Sequence, residues 1–600
     1  MKDLLKSHFG FSDFRPHQEA VIRQILTKRD VVAVMPTGGG KSLCYQLPSL
    51  VLPGTVVVIS PLISLMKDQV DAARGNNLAA AFLNSSLTPE CMAGVYEALN
   101  ARRLNLLYIA PERLASPGFL RTLDRIDISL FAVDEAHCIS EWGPDFRPDY
   151  LNLIGLRARY PNVPMAAFTA SATTRVQEDI IRQTGLSSPF ILRASFDRKN
   201  LFYRVAAKYD INSQVLDFIR RRPAQPGIIY RTTRKSVIDM ASFLNSHGVS
   251  SLPYHAGLET GERTANQEAF NQDRVQVIVA TIAFGMGIDK SNVRFVIHAD
   301  LPKTVEGYYQ ETGRAGRDGA PAECLLFFGR GDLPRHHYFI NLMENDAERL
   351  MARNKLEAMT RYAASSVCRR KTLLGYFGET YPASACDACD VCADREEKTD
   401  ITQEARLVLL SVLRLNEQFG VTHVVDFTAG ANTERIRKYG HQRVPHYGAG
   451  RGKPSVHWKR VTEDLITGEY LTQRGDKYPV LKLSAAGLEV LAEKRRVLVR
   501  PRTGLVSRPA PEIPNFDEVL FERLRSLRRA VAAEHGIPPY IVFSDKTLRE
   551  MAARRPETES GLADIHGVGE MKLSCYGEIF IHEIRKYRND FPHLFLRRKP

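Results

Sequence analysis

The chain has 600 residues, room for three to six domains at roughly 100–200 residues each, and its apolar content of 44% supports sizeable cores. Lys and Arg outnumber Asp and Glu by 82 to 68, giving +14 and a pI near 9.3, a balance that suits a polyanionic partner. The start, Met1–His8, lacks the apolar core of a signal peptide, and no stretch has the length and apolarity of a membrane span. Nine cysteines spread over so long a chain speak for a reducing cytosol and against a disulfide scaffold.

In chain order, the first chemistry follows the apolar strand Val31-Val32-Ala33-Val34, which runs into Met35-Pro36-Thr37-Gly38-Gly39-Gly40-Lys41-Ser42. A strand, a glycine-rich turn and a helix aim several backbone N–H groups at one spot, and the helix dipole adds positive potential there. Thr37, Gly38, Gly39 and Gly40 thus read as a phosphate cradle for ATP. Lys41 would reach the β- and γ-phosphates, and Ser42 would ligate Mg²⁺. Met35 stands where the strict pattern has its first glycine, but Gly38 to Gly40 supply the permissive dihedrals. A second strand, Leu130–Val133, ends in Asp134-Glu135-Ala136-His137, with the carboxylates at a C-terminal strand end where doubly wound sheets place ligands. Asp134 can hold Mg²⁺, and Glu135 can take a proton from the attacking water. Either motif alone is consistent with a plain surface turn; the pair is far more specific.

A second α/β unit is expected from the strands Gly227–Tyr230, Val275–Val279 and Arg294–Ile297. It ends in Gln310-Glu311-Thr312-Gly313-Arg314-Ala315-Gly316-Arg317, which carries arginines but no phosphate loop of its own. A nucleotide site divided between two domains changes shape when ATP is hydrolysed, which is the layout of a motor. A helical stretch, Ile340–Tyr362, then leads to Cys368, Cys386, Cys389 and Cys392, spaced C-x₁₇-C-x₂-C-x₂-C. Four thiolates close a tetrahedral Zn²⁺ shell and leave no open position, so the zinc reads as structural. An iron–sulfur cluster or a redox pair would draw on the same cysteines. Arg369, Arg370 and Lys371 follow the first ligand on an expected helix as a basic face.

From Thr402 the pattern is helix, short strand, helix, helix and a hairpin around Gly475. Arg435, Arg437, Lys438, Arg451, Lys453, Lys459 and Arg460 are candidates for duplex phosphates, or for solvated helix faces. Pro501–Pro514 reads as a tether. Phe516–Tyr587 is a small helical domain, with Phe521, Leu524, Leu527 and Val531 at helical spacing. Its Gly567-Val568-Gly569 reads as a turn that can also offer phosphate a helix N-terminus.

These motifs, in this order, resemble the RecQ family of DNA helicases within the broader D-E-x-H helicases. Phe14-Arg15-Pro16-His17-Gln18 is similar to the family's adenine-reading segment, which places Arg15 and Gln18 at the base. Ser60–Gln69 and Ala110–Leu114 resemble its DNA-backbone motifs, Thr169–Ala172 its coupling motif, and Ala280–Asp289 and Gln310–Arg317 motifs of the second lobe. By resemblance Arg317 is the arginine finger, typically worth ~10³–10⁵ in rate, with Arg314 supporting it at the γ-phosphate. Glu141–Pro148 resembles an aromatic-rich loop in which Trp142 and Phe146 stack on bases and Arg147 meets phosphate or a base face. The family commonly has Gln at position 141 and His at position 144, where this chain has Glu141 and Pro144. Pro538–Phe543 resembles the helicase-and-RNase-D C-terminal (HRDC) domain and makes Tyr540 either a single-strand contact or a core residue. Tyr478 is the one aromatic near the wing tip.

The implied fold class is α/β: two RecA-like lobes with parallel sheets (1–203 and 204–335), a zinc-binding helical module (336–400), a winged helix (401–500), a linker (501–514), an all-helical HRDC-like domain (515–590) and a basic tail (591–600). The implied activity is ATP-dependent, 3′→5′ unwinding of DNA in recombination and repair, with Mg²⁺ and Zn²⁺ as cofactors. Single-stranded and duplex DNA are the expected partners, joined by a single-stranded DNA-binding protein and other repair proteins. The expected state is a cytoplasmic, nucleoid-associated monomer with no membrane partner. Two other readings are an RNA helicase or non-unwinding translocase, and a DNA-binding protein with a vestigial motor.

Overall fold

Fully apolar runs such as Val31–Val34 and Thr55–Ile59 have no face to offer water, so they pair in parallel and are covered on both sides. A computed structural model of the protein describes residues 1–61, 63–84, 87–143, 146–285, 290–365, 367–383, 385–393, 399–468, 470–474, 480–499 and 516–591. Pro144, Asp145, Met286–Asp289, Gly475, Tyr478, the 501–514 tether and residues 592–600 of the tail lie outside the described residues.

The first lobe contains strands β1 (Val31–Val34), β2 (Thr55–Ile59), β3 (Ala80–Leu83), β4 (Leu106–Ile109), β5 (Ile128–Val133), β6 (Met165–Thr169) and β7 (Phe190–Arg193), in the sheet order β3-β4-β2-β5-β6-β1-β7. Every pairing is parallel; Val34 aligns with Thr169, and Val133 with Ala167. Because β5, β6 and β1 are neighbours, the D-E-A-H run, the Thr169–Ala172 motif and the phosphate loop all emerge side by side. The second lobe contains β8 (Leu201–Ala207), β9 (Gly227–Tyr230), β10 (Ser251–Tyr254), β11 (Val277–Ala280), β12 (Phe295–His298) and β13 (Ala322–Phe328), in the order β10-β11-β9-β12-β13-β8. β11 and β12 begin slightly later than the alternation suggested.

One apolar core runs through both lobes into the zinc module, including Phe196, Tyr203, Tyr308, Tyr309, Tyr362 and Phe377. Phe196 stacks on Phe377 with centroids 4.5 Å apart. The single helix expected over 340–362 is two helices, Leu333–Asn341 and Asp346–Ala364. The second starts where the Asn345 side chain accepts from the N–H groups of Ala347 and Glu348.

Arg369 and Arg370 do not form a basic face. Both are buried on the helix Arg369–Tyr376. The Arg369 guanidinium donates to both oxygens of Asp390, at 3.0 and 3.2 Å, and Asp390 Oδ2 also accepts from Val205 N on β8. Arg370 pairs with Asp197 and donates to the carbonyls of Arg198 (3.0 Å) and Leu201 (2.8 Å). The zinc module is therefore bolted to the start of the second lobe.

In the winged helix, no strand follows the first helix. Residues 421–429 fold as a helix despite Val421, Thr422, Val424 and Val425, because Val424, Val425 and Phe427 are buried in that domain's own core. Lys459 donates to Tyr209 O at 3.4 Å and Arg460 lies over the Tyr209 ring, so these two cations dock the domain on lobe two. Lys453 pairs with Glu404, and Arg451 lies over Tyr447. Arg435, Arg437 and Lys438 are exposed on the short helix Glu434–Lys438.

The HRDC-like domain rests on both lobes. Gly567 N donates to Gly10 O at 2.9 Å, and the Phe11 and His566 rings sit 5.0 Å apart. Gly567-Val568-Gly569 is thus a docking turn, and the helix after it spans only Glu570–Lys572. Arg528, fully buried, pairs with Asp545 at 2.7 Å and faces Asp273 of lobe two at 3.8 Å.

Arg369→Met should leave Asp390 buried without its partner, costing about 3–5 kcal/mol. A lower melting temperature and faster proteolysis within 368–393 are expected, with partial recovery when Asp390→Leu is added.

Candidate functional site

The phosphate loop turns because Gly38 and Gly40 both take φ of +79°, a left-handed conformation that costs glycine little. The helix behind it is short, Leu43–Gln46, and Pro48 opens a 3₁₀ turn directly after it. Gln18 Nε2 donates to Gly40 O at 3.0 Å and Arg15 Nη1 donates to Gly38 O, so the segment assigned to the adenine is tied to the loop assigned to the phosphates. Arg15 N in turn donates to Gln18 Oε1 at 2.8 Å. Lys41 Nζ is folded back on its own loop, donating to Met35 O at 3.4 Å. Thr37, Gly39 and Ser42 complete the run.

Asp134 is buried at the end of β5, its Oδ1 accepting from Glu135 N at 2.9 Å. Glu135 is left-handed at φ +46°, an unfavourable conformation for a non-glycine residue, typically worth ~1–3 kcal/mol and common at functional sites. Its Oε2 lies 3.4 Å from His137 Nδ1 and has no hydrogen bond among the described residues. His137 is fully buried and is a junction. Its Nδ1 meets Thr169 Oγ1 at 3.0 Å, and its Nε2 meets Gln310 Nε2 of lobe two at 3.3 Å. Gln310 also donates to Ser171 Oγ at 2.6 Å. The D-E-A-H run, the coupling motif and the arginine-bearing run are thereby linked side chain to side chain.

The two halves of the cleft touch. A Cβ at Gly38 would lie 3.7 Å from both Cα and Cγ of Arg317, and one at Gly313 would lie 3.0 Å from Thr37 Cβ. Arg317 is thus at the phosphate loop. Arg314 is buried inside lobe two, beside Gly285 and Tyr230, and its charge opposes the upward push of burial on the Tyr230 hydroxyl.

A second residue that bridges the halves was not among the sequence candidates. Arg198, in the connector between the lobes, donates to Thr37 O at 2.6 Å and to Gly313, Ala315 and Gly316 carbonyls at 3.2, 3.0 and 2.9 Å. A lone arginine between β7 and β8 carries no motif that would have marked it.

The aromatic loop packs directly behind the D-E-A-H run. A Cβ at Gly143 would fall 2.4 Å from His137 O, so only glycine fits there. Trp142 is half-buried, with the Arg175 guanidinium 3.0 Å from its ring centroid, and Arg147 Nη1 donates to Pro61 O at 2.7 Å. Phe146 is half-buried in the same loop. Tyr540 lies apart from it on the helix Pro539–Val542, its hydroxyl buried and its neighbour Ile541 against Gly75 of lobe one.

The sulfurs of Cys368, Cys386, Cys389 and Cys392 all lie within 4.8 Å of one another. Lys371 N points at Cys368 Sγ (3.5 Å) and Cys386 N at Cys392 Sγ (3.4 Å), as expected for thiolates. The set fits a closed Zn²⁺ shell. Among the described residues, no helix is long and apolar enough to cross a membrane.

Models of known families match the chain in the order of these units: DEAD/DEAH box helicase over residues 15–180, Helicase conserved C-terminal domain over 208–319, RecQ zinc-binding over 330–393, RQC domain over 395–505 and HRDC domain over 517–584. Fold and site thus define a two-lobed helicase motor with zinc, winged-helix and helical accessory units. The chain is 42% identical over 592 residues to the ATP-dependent DNA helicase RecQ of Haemophilus influenzae, covering 98% of this chain and 96% of that one. It is 40% identical over 591 residues to the protein of the same name from Bacillus subtilis, covering 98% of each. The chain belongs to the RecQ family.

Arg198→Ala should strip the donor from four carbonyls that join the lobes. ATP hydrolysis is expected to fall about 10²-fold through misplacement of reacting groups, with binding of a fluorescent ATP analogue changed only a few-fold.

Proposed function

We propose that this protein is an ATP- and Mg²⁺-dependent DNA helicase that moves 3′→5′ along a single strand and parts the duplex ahead of it. The observation that carries the reading is the contact of Gly38 and Thr37 in lobe one with Arg317 and Gly313 in lobe two. A nucleotide in that cleft reports its state to both lobes at once.

In this mechanism Gln18 and Arg15 hold the adenine, while Thr37, Gly38, Gly39 and Gly40 cradle the phosphates. Lys41 leaves the Met35 carbonyl for the β- and γ-oxygens. Ser42 and Asp134 would hold Mg²⁺, which when bound neutralises charge on those oxygens. Glu135 takes the proton of the attacking water, its Oε2 lying 3.4 Å from His137 Nδ1 and accepting no hydrogen bond among the described residues. Arg317 stabilises charge on the transferring phosphoryl group, and Arg314 holds the loop that presents it. When the γ-phosphate departs, the reason for Arg317 to stay at the loop departs too, and the lobes re-seat.

DNA runs across the aromatic loop, where Trp142 and Phe146 stack on bases and Arg147 meets the strand. Trp142 exchanges its Arg175 partner for a base. Tyr540 adds a single-strand contact once the HRDC-like domain lifts from the motor. Arg435, Arg437 and Lys438 position duplex phosphates. Cys368, Cys386, Cys389 and Cys392 would hold a structural Zn²⁺, and Arg370, on the helix that follows Cys368, holds the connector that carries Arg198. The protein works as a cytoplasmic, nucleoid-associated monomer in recombination and repair, alongside a single-stranded DNA-binding protein and other repair proteins.

Glu135→Gln should still bind ATP but lose unwinding of a tailed duplex, with hydrolysis reduced at least 10²-fold. Retained unwinding would remove Glu135 from the role of base. Matched DNA and RNA oligomers at one salt concentration test the substrate: stimulation by DNA is expected to exceed that by RNA at least tenfold, and equal stimulation would favour an RNA motor.

Zinc removal by a chelator, or Cys389→Ala, should expose the 197–201 connector and the 368–393 segment to protease together, read by peptide mapping. Independent release of the two would contradict the coupling through Arg370.

A further inference from the structure

Lys355 belongs to none of the motifs above, yet three parts of the machine meet at it. It sits on the zinc-module helix Asp346–Ala364, whose Leu356, Met359 and Tyr362 are buried. Its Nζ reaches lobe one and donates to the carbonyls of Trp142 (2.9 Å) and Gly143 (3.1 Å), capping the aromatic loop. Burial lowers the Lys355 pKa, and the Glu306 carboxylate acts in the opposite direction.

Glu306 lies on the helix Val305–Thr312 of lobe two. It is itself buried, and its Oε2 has no hydrogen bond among the described residues. The helices that carry Lys355 and Glu306 pack against each other, so the Glu306 carboxylate, which also interacts with the Tyr376 hydroxyl, offers this ammonium a charge-assisted acceptor besides the two neutral carbonyls. One turn further along that helix, on the same face, is Gln310, which contacts His137 and Ser171 in the nucleotide cleft. The Arg314–Arg317 loop follows directly.

We propose that Lys355 is a positioning residue that couples the DNA-facing loop to the arginine-bearing helix. Without DNA it holds the Trp142 and Gly143 carbonyls. When a strand pulls Trp142 from Arg175, the loop carbonyls leave, and Nζ turns to Glu306. The helix Val305–Thr312 then shifts Gln310 against His137 and brings Arg317 to its working position. This is a two-state element biased by both sites, which is what coupling requires.

The inference rests on the helicase reading, and its test separates the two. The chain has two tryptophans, and Trp458 is buried in the winged helix, so emission changes on adding single-stranded DNA report Trp142. Lys355→Met should shift that emission before any DNA is added, and should cut DNA stimulation of ATP hydrolysis at least tenfold. Unstimulated hydrolysis and the KM for ATP should stay within about twofold. Glu306→Gln should keep the starting emission and lose stimulation to a similar extent, the double variant being no worse than either single one. Lys355→Arg should restore at least a third of the stimulation.

Full stimulation in Lys355→Met or in Glu306→Gln, or a parallel fall of basal and stimulated rates, would overturn the coupling. If Lys355→Met fails to fold, Glu306→Gln and Lys355→Arg decide the matter by the same readings. A wild-type chain unmoved by DNA would instead sink the helicase reading, and this inference with it.

Discussion

The guanidinium of Arg198 joins the walls of the nucleotide cleft. Its partners are all main-chain carbonyls, one from the phosphate loop and three from the Gly313–Gly316 turn. Charge-assisted bonds of this kind are the stronger class, about 1.5–3 kcal/mol each when a charged group is involved. Because the acceptors are backbone, they report the position of each loop rather than the identity of its side chains. Arg198 in turn is fixed from behind by Arg370, whose helix begins at the first zinc ligand. The helix that carries Arg370 thus links the four-cysteine module to the connector between the lobes.

A second line of contact runs through His137. It touches Glu135, Thr169 and Gln310, so the carboxylate that would act on water, the end of β6 and the lobe-two helix share one buried ring. Gly143 packs on the carbonyl of the same residue. The aromatic loop and the D-E-A-H run are thus separated by a single backbone contact, and a strand that displaced the loop would have little distance to transmit force. The shared core across both lobes and the zinc module makes that transmission stiff, since close-packed interiors have few voids to absorb a shift.

Much of this was legible before any coordinates. Apolar runs that end in Gly-rich or acidic turns have few alternatives to buried parallel strands, and the C-x₁₇-C-x₂-C-x₂-C spacing has few alternatives to a metal-type cluster. What escaped has a common cause. Arg198, Lys355, Arg369 and Arg370 are cations whose partners are main-chain carbonyls or acids far away in the chain, and local pattern cannot tell such a residue from one on a solvated face. The same holds for Lys459 and Arg460, candidates for phosphate whose contacts with Tyr209 on the second lobe local pattern does not reveal. Residues 421–429 escaped for a different reason: β-branched side chains argue locally for strand, and only burial of one helical face overrides them. The Gly567–Gly569 turn looked able to bind phosphate because its use as a docking surface for Gly10 depends on a contact made across more than 500 residues of chain.

The central claim is that the two lobes re-seat against each other in each cycle of hydrolysis. The most direct measurement is the distance between probes on exposed positions of the two lobes, such as Arg121 and Glu262, followed by pulsed dipolar spectroscopy with single-stranded DNA bound. The account predicts a shift of several ångströms between a non-hydrolysable ATP analogue and ADP, abolished by Arg317→Ala. An identical distance distribution in both nucleotide states would contradict it.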